Sequence, residues 1–301
     1  MTNPDATLQP TRQQITTADG RSLDVWQAGP PDGDPLVFHL GTPGAGLPFG
    51  RHVRNLADRG LRYVSASRPG YGDSTRREGR SVADVVDDTR AVLDHLGVDT
   101  AWVLGWSGGG PHAMACASLM PERVRGTALI ASVAPYPAEG LDYLAGMGAE
   151  NVEEFSAALA GPQALIPFKE HARAQFLDVT AGEVAGAFGD LVDDVDRGSV
   201  TGELAEYLAA LFHEALRTSY WGWFDDDMAF IRPWGFDVAS IKAPVHVWQG
   251  GHDRMVPYAH GEWLVQHLGN ARPHLFADQG HLTLIVDSFP QILDKLLGDA
   301  G

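Results

Sequence analysis

Short apolar runs separated by turn residues dominate the first half of the chain. Residues 14–17 and 23–26 flank the Asp19-Gly20 pair, and this pattern predicts an antiparallel hairpin. Residues 82–96 carry apolar side chains at helical spacing, and Gly97 follows as a stop signal. Continuous apolar runs, typical of strands buried on both faces, lie at 36–40, 61–66, 101–104 and 128–131. Strands that alternate with helices predict a mostly parallel sheet flanked by helices.

The strand pattern stops in the middle of the chain. Residues 134–235 contain many helix-forming residues and little strand signal, and strand-like runs resume at 244–248 and 273–277. We therefore predict one core in two parts, residues 1–133 and 236–301. A helical cap inserted at 134–235 interrupts it.

Charge is concentrated in the same middle segment. The chain of 301 residues has a net charge of −17, and residues 134–235 hold 18 Asp and Glu against 5 Lys and Arg. Such a balance argues against nucleic acid as a partner, because phosphate binding needs a positive surface. We expect most of this charge, including the run 193–196, to be solvated. An acidic cap over a site would also favour neutral or cationic substrates over anionic ones.

Several further classes are not indicated. No apolar run reaches the roughly 20 residues that span a bilayer, and residues 1–5 lack the features of a secretion signal. Cys116 is the only cysteine, so no internal disulfide is possible. No metal-ligand, P-loop or dinucleotide spacing is present. We expect a cytoplasmic protein with no cofactor, no metal and no membrane partner, and its oligomeric state is open.

The strongest chemical signal is Gly105-Trp106-Ser107-Gly108-Gly109. It follows the predicted strand at 101–104 and precedes a helix that begins near Pro111. A serine on a sharp strand-to-helix turn needs small neighbours, because side chains would collide there. Such a nucleophile elbow lifts the hydroxyl above the sheet, so Ser107 is the predicted nucleophile.

The partners that a serine needs come later in the chain. Asp253 and His281 each follow a predicted strand, at 244–248 and 273–277, so both are expected at the carboxyl edge of the sheet. A serine hydroxyl needs a base, and the base needs an anchor for its other ring nitrogen. We assign His281 as base and Asp253 as anchor. The acids Asp225, Asp226 and Asp227 are its rivals.

These three elements resemble those of the α/β-hydrolase family. The likeness lies in G-W-S-G-G at Ser107, G-G-H-D-R-M-V-P at Asp253 and G-H-L at His281, and it extends from about residue 14 to 297. The helical insertion stands at the family's usual cap position, and R-P-G-Y-G-D-S, from Arg68 to Ser74, matches a loop common in the family. The resemblance implies the α/β-hydrolase fold and a serine hydrolase with a catalytic triad.

The resemblance also implies an oxyanion hole. Its donors would be the backbone N–H groups of Gly108 and of Thr42, the latter in the loop after the third strand. Many relatives carry a histidine before the first glycine of that loop, where this chain has Leu40. His39 stands one residue earlier and is expected on the opposite face of the strand.

Aromatic residues are the candidates for a substrate pocket. They could line an apolar pocket or pack within the cap; they are Trp106, Trp221, Trp223, Phe224 and Trp234. The leading hypothesis is hydrolysis of a small ester or related acyl compound through an acyl-enzyme. An aminopeptidase resembling proline iminopeptidases, a lactone or carbon–carbon bond hydrolase, and a ligand receptor that lacks activity are the alternatives.

Overall fold

The computed structural model describes residues 8–298. The first residues, from which the absence of a secretion signal was predicted, lie outside that range. Eight strands form one sheet in the order β1-β2-β4-β3-β5-β6-β7-β8. Their bounds are β1 Thr11–Thr16, β2 Ser22–Ala28, β3 Asp34–His39, β4 Leu61–Ala66, β5 Ala101–Trp106, β6 Val124–Ile130, β7 Val245–Gly250 and β8 Ala271–Phe276.

Only β2 runs against its neighbours. It pairs antiparallel with β1 and with β4, whereas β3 to β8 pair in parallel. The predicted hairpin and each predicted strand are present, so the mostly parallel α/β sheet is confirmed. The 82–96 segment forms one 3₁₀ turn, Val82–Asp84, and then a helix, Val85–His95.

Helices cover both faces of the sheet. Their bounds are α1 Gly50–Ala57, α2 Val85–His95, α3 Gly110–Leu119, α4 Ala149–Ala160, α5 Pro162–Phe176, α6 Val184–Ala187, α7 Asp194–Ser199, α8 Gly202–Leu216, α9 Trp221–Phe230, α10 Tyr258–His267, α11 His281–Asp287 and α12 Phe289–Gly298. Within residues 8–298, none of these helices is long and apolar enough to cross a bilayer.

Successive side chains along each strand alternate in direction, so the hydrophobic core has one part on each face of the sheet. Leu36 and Phe38 of β3 pack towards α1 and α12, and Val37 packs on the opposite face towards α2 and α3. Successive side chains of a strand point to opposite faces, so a fully apolar strand needs cover on both. The continuous apolar runs of the sequence have this physical origin.

Residues 131–244 form the helical insertion between β6 and β7. The structure describes all of them, and they fold into α4 to α9 and short turns without a strand. Buried residues of the insertion join those of the sheet in common apolar clusters. The insertion therefore packs directly on the sheet's own core.

Candidate active site

Ser107 lies on a strained turn between β5 and α3. Its φ angle is +55°, which non-glycine residues rarely adopt. A Cβ atom on Gly105 would lie 2.5 Å from the carbonyl oxygen of Gly109, and one on Gly109 would collide with the carbonyl of His39. The two glycines therefore let the chain turn sharply, and the turn presents the Ser107 side chain at the carboxyl edge of the sheet. Strain of this kind concentrates at functional sites.

Asp253 and His281 form a buried pair at the same edge. The Nδ1 atom of His281 lies 2.8 Å from Oδ2 of Asp253, and both side chains are almost fully buried. The other oxygen, Oδ1, accepts hydrogen bonds from the backbone N–H groups of Met255 and Val256. A fixed carboxylate that accepts from Nδ1–H leaves the lone pair on Nε2, the atom that a general base uses.

Opposing effects act on the pKa of His281. Burial lowers it, whereas the Asp253 carboxylate, its hydrogen bond to the ring, and Asp196 raise it, and the net pKa is above the ordinary histidine value. The site therefore stabilises the imidazolium that forms when this ring accepts a proton.

Ser107 and His281 line the same cavity. Among residues 8–298, no hydrogen bond joins the serine hydroxyl to the ring, so only the Asp253–His281 half of the arrangement is closed. Catalytic hydrogen bonds are often long in a free enzyme and tighten when substrate binds.

Thr42 and Gly108 lie side by side next to Ser107. A Cβ atom on Gly108 would lie 2.9 Å from Cβ of Thr42, and one on Gly41 would lie 3.2 Å from Cβ of Ser107. The first N–H groups of a helical turn have no acceptor within it, and Gly108 belongs to the turn Ser107–Gly109. Both candidate oxyanion donors are therefore close to the serine.

A buried ionic network holds the loop that carries Thr42. The Thr42 hydroxyl donates to Oδ2 of Asp226 at 2.8 Å, and Tyr71 donates to the same oxygen at 2.9 Å. Arg68 and Arg80 approach the Asp226 carboxylate at 2.6 and 2.7 Å. Arg68 also donates to the backbone carbonyls of Leu40 and Gly41. Asp226 belongs to α9, so the insertion helps to fix this loop.

Electrostatics agree with an ionised Asp226. Burial raises the pKa of Asp226, but Arg68, Arg80 and His112 together lower it by more, so the net pKa is well below the ordinary value. Sequence reasoning missed this network, although the motif from Arg68 to Ser74 was a signal that the loop mattered.

The acids beside Asp226 pair elsewhere. Asp225 accepts two hydrogen bonds from Arg76 at 2.7 and 2.9 Å, and Asp227 pairs with Lys169, which also binds Glu154. Burial and Glu154 raise the pKa of Asp227 well above its ordinary value, against the effect of Lys169. All three rivals to Asp253 are therefore bonded to groups other than His281.

The cavity has a volume of about 550 Å³ and mostly apolar walls. Among the candidate pocket residues, Trp106 and Trp223 line it. Trp221 and Phe224 instead pack in a separate cluster of the insertion, and Trp234 packs in the core beneath α9. The structure therefore corrects the expected pocket at these three positions, because these side chains pack in apolar clusters and do not line the cavity.

The acidic run at 193–196 departs from expectation as well. Asp193 accepts from the N–H of Val195 and contacts His252 at 2.6 Å, and the Asp196 side chain is fully buried beside His281. The insertion also buries Glu154 and Asp225 to Asp227, so part of its acidic side chains lies inside the protein and not in solvent. Within residues 8–298, no group of three or more His, Cys, Asp or Glu is placed to hold a metal ion.

Comparison with known proteins agrees with this fold. A family model described as alpha/beta hydrolase fold matches residues 34–288. A non-heme chloroperoxidase from Streptomyces lividans is 29% identical over 252 residues, covering 81% of this chain and 83% of that protein. A 2-hydroxymuconate semialdehyde hydrolase from Pseudomonas putida is 27% identical over 243 residues, covering 79% and 78%.

A solved structure extends the likeness to the whole fold. The enol-lactonase from Burkholderia xenovorans LB400 superposes with a TM-score of 0.70 at 18% identity, covering 95% of this chain and 100% of that one. At this identity the superposition concerns the fold alone. The family match, by contrast, runs from β3 through the insertion to the end of α11. Since it spans most of the sheet and both ends of the candidate site, the chain belongs to the α/β-hydrolase fold family.

Proposed function

We propose that this protein is a serine hydrolase that cleaves a small carboxylic ester or a related acyl compound through an acyl-enzyme. The observation that carries the proposal is the 2.8 Å contact between Asp253 and His281, which lines the same cavity as Ser107. A nucleophile on a strained turn, a base and a fixed carboxylate are the parts that serine acyl transfer needs.

Each residue has one task in the proposed reaction. The Ser107 hydroxyl attacks the carbonyl carbon while Nε2 of His281 takes its proton. Asp253 holds the ring and stabilises its positive charge. His281 then gives the proton to the leaving alcohol as the carbon–oxygen bond breaks. A water molecule, deprotonated by the same ring, then attacks the acyl-enzyme. The bond between the acyl carbon and Ser107 Oγ breaks, His281 returns the proton to Oγ, and the acid is released.

Negative charge develops on the carbonyl oxygen in both steps. The backbone N–H groups of Thr42 and Gly108 are the proposed donors to it, and their adjacency to Ser107 supports that role. The network around Asp226 would keep the Thr42 loop in place during turnover, so that little reorganisation energy is spent.

The cavity supports an apolar acyl group. Its volume of about 550 Å³ lies within the range of small-molecule pockets, and aromatic and aliphatic side chains of the insertion form much of its wall. We further propose that the insertion acts as the cap of this site. A relative named 2-hydroxymuconate semialdehyde hydrolase keeps carbon–carbon bond hydrolysis open as an alternative. Lactone hydrolysis also stays open, because the same set of residues can serve it.

The test uses Ser107→Ala with Ser118→Ala as the matched control. Ser118 lies near the end of α3, and its hydroxyl forms a hydrogen bond with that of Ser240 at the surface. A fluorophosphonate probe should label the wild type and Ser118→Ala but not Ser107→Ala. On the best substrate from a panel of p-nitrophenyl esters, lactones and aminoacyl anilides, Ser107→Ala should lose about 10⁴- to 10⁶-fold in kcat. Retention of most of that activity would refute the mechanism, and an unlabelled wild type would favour a receptor.

A further inference from the structure

One carboxylate of the helical insertion accepts hydrogen bonds from the start of α11, the helix that begins at His281. Asp196 of α7 accepts hydrogen bonds from the backbone N–H of His281 at 2.7 Å and of Leu282 and Thr283 at 2.9 Å each. The hydroxyl of Thr283 donates a fourth at 3.1 Å. The side chain is fully buried, although it belongs to the acidic run 193–196.

The local sequence explains why an outside carboxylate is needed. The first N–H groups of a helix have no acceptor within it, and a side chain just before the helix usually supplies one. The residue before α11 is Gly280, which has no side chain. Asp196 fills this role from a segment 85 positions away in the sequence. Charged acceptors make stronger hydrogen bonds than neutral ones, so the anchor is firm.

The two segments are fitted to each other. A Cβ atom on Gly280 would lie against both oxygens of Asp196, closer than van der Waals contact. The φ angle of Gly280 is −106°, which other residues can adopt. The glycine is therefore required here by the space that the carboxylate occupies, not by backbone geometry.

Asp196 also acts on the ring of His281 through its charge. The charged groups that face this histidine are Asp253, from the loop after β7, and Asp196, from α7, and both raise its pKa against the effect of burial. Asp253 orients the ring through Nδ1, while Asp196 fixes the backbone from which the ring extends.

We propose that Asp196 is a positioning residue for the general base: it fixes the backbone of His281 and makes the orientation of the catalytic ring depend on the helical insertion. This inference rests on the proposed serine hydrolase function. A plain capping role would stabilise α11 and leave kcat of the folded enzyme unchanged.

The experiment compares Asp196→Asn with Asp194→Asn. Both changes remove one negative charge from α7, but Asp194 is exposed and Asp196 is buried against α11. In NMR titrations of imidazole-labelled protein, with the His281 signal assigned through His281→Gln, Asp196→Asn should move the midpoint of His281 to lower pH. Asp194→Asn should leave it in place. This readout does not require turnover.

Kinetics supply the second readout. Misplacement of the base should lower kcat of Asp196→Asn by about 10- to 100-fold with KM nearly unchanged. The acid limb of its kcat/KM profile should shift to lower pH, because the base must be neutral and its pKa has fallen. If Asp196→Asn does not fold, Gly280→Ala serves instead, since it displaces the carboxylate without removing a charge, and the same loss of kcat is expected.

The outcomes separate this inference from the proposed function. An unchanged kcat in folded Asp196→Asn would overturn the positioning role, with or without a shift of the His281 midpoint, even if Ser107→Ala is inactive. A stability loss alone, without either change, would also overturn it and would leave Asp196 as a cap. If instead Ser107→Ala keeps its activity while the midpoint shifts, the proposed function fails and the contact of Asp196 with the histidine stands.

Discussion

Removal of the charge on Asp226 should destabilise the protein more than the same change at its neighbour. Asp226→Asn leaves the guanidinium groups of Arg68 and Arg80 buried without a counter-ion, and each is only 3% exposed. Loss of one partner from a buried ion pair costs about 3–5 kcal/mol. Asp225→Asn is the matched control, because Arg76 is 26% exposed and can turn to water. A solvent-accessible pair contributes only about 1 kcal/mol.

Urea unfolding followed by tryptophan fluorescence measures the difference. With a slope of about 3 kcal/mol per M, a loss of 3–5 kcal/mol moves the midpoint by about 1 M or more. Asp225→Asn should move it by a third of that or less. The folded-state pKa of Asp226 is lowered, so its contribution is present above the unfolded pKa and is lost as pH falls through the folded value. The gap between the two variants should therefore close in strong acid.

Activity gives an independent check on the same network. Thr42 donates to Asp226, so the variant should loosen the proposed oxyanion loop and lower kcat at temperatures where it remains folded. Loss of one oxyanion donor costs about 10²- to 10³-fold in kcat, which is the upper bound for this indirect effect. Equal midpoints for Asp226→Asn and Asp225→Asn, at equal activity, would refute the reasoning.

Two further predictions concern the proposed catalytic carboxylate and the cavity. Asp253→Asn should lower kcat by about 10⁴-fold with little change in KM, because the amide cannot hold the ring in the required tautomer. Steady-state kinetics, with Asp225→Asn as the control, measures this loss. Near-wild-type activity of Asp253→Asn would assign the acid to another residue. Ala157 lines the cavity from α4, so Ala157→Phe should reduce kcat/KM for long-chain p-nitrophenyl esters about tenfold or more relative to the acetate. Ser156→Phe, on the exposed side of the same helix, should not discriminate, and equal effects of the two variants would exclude this wall as the acyl site.

The sheet and the order of the chemical groups along it were predictable from the sequence. Strands buried on both faces must be apolar throughout, so β3 to β7 appear as runs that need no knowledge of their partners. The Ser107 turn is recognisable from its glycines, because Gly105 avoids a clash with Gly109 four positions away and Gly109 avoids one with His39 of the adjacent strand. Asp253 and His281 follow strands of a parallel sheet, so their meeting at one edge follows from topology.

Only the tertiary structure decided what the insertion does. Its acidic residues look alike in the sequence, yet Asp196 anchors α11, Asp226 holds the Thr42 loop and Asp194 is exposed. The aromatic residues were equally ambiguous, since Trp223 lines the cavity and Trp221 does not. Helical periodicity identifies which side of a helix is buried, but the partner of a buried carboxylate depends on contacts far along the chain. Those contacts form only when the insertion packs on the sheet. The sequence therefore determines the edge where Ser107, Asp253 and His281 meet, and the fold determines which charges surround it.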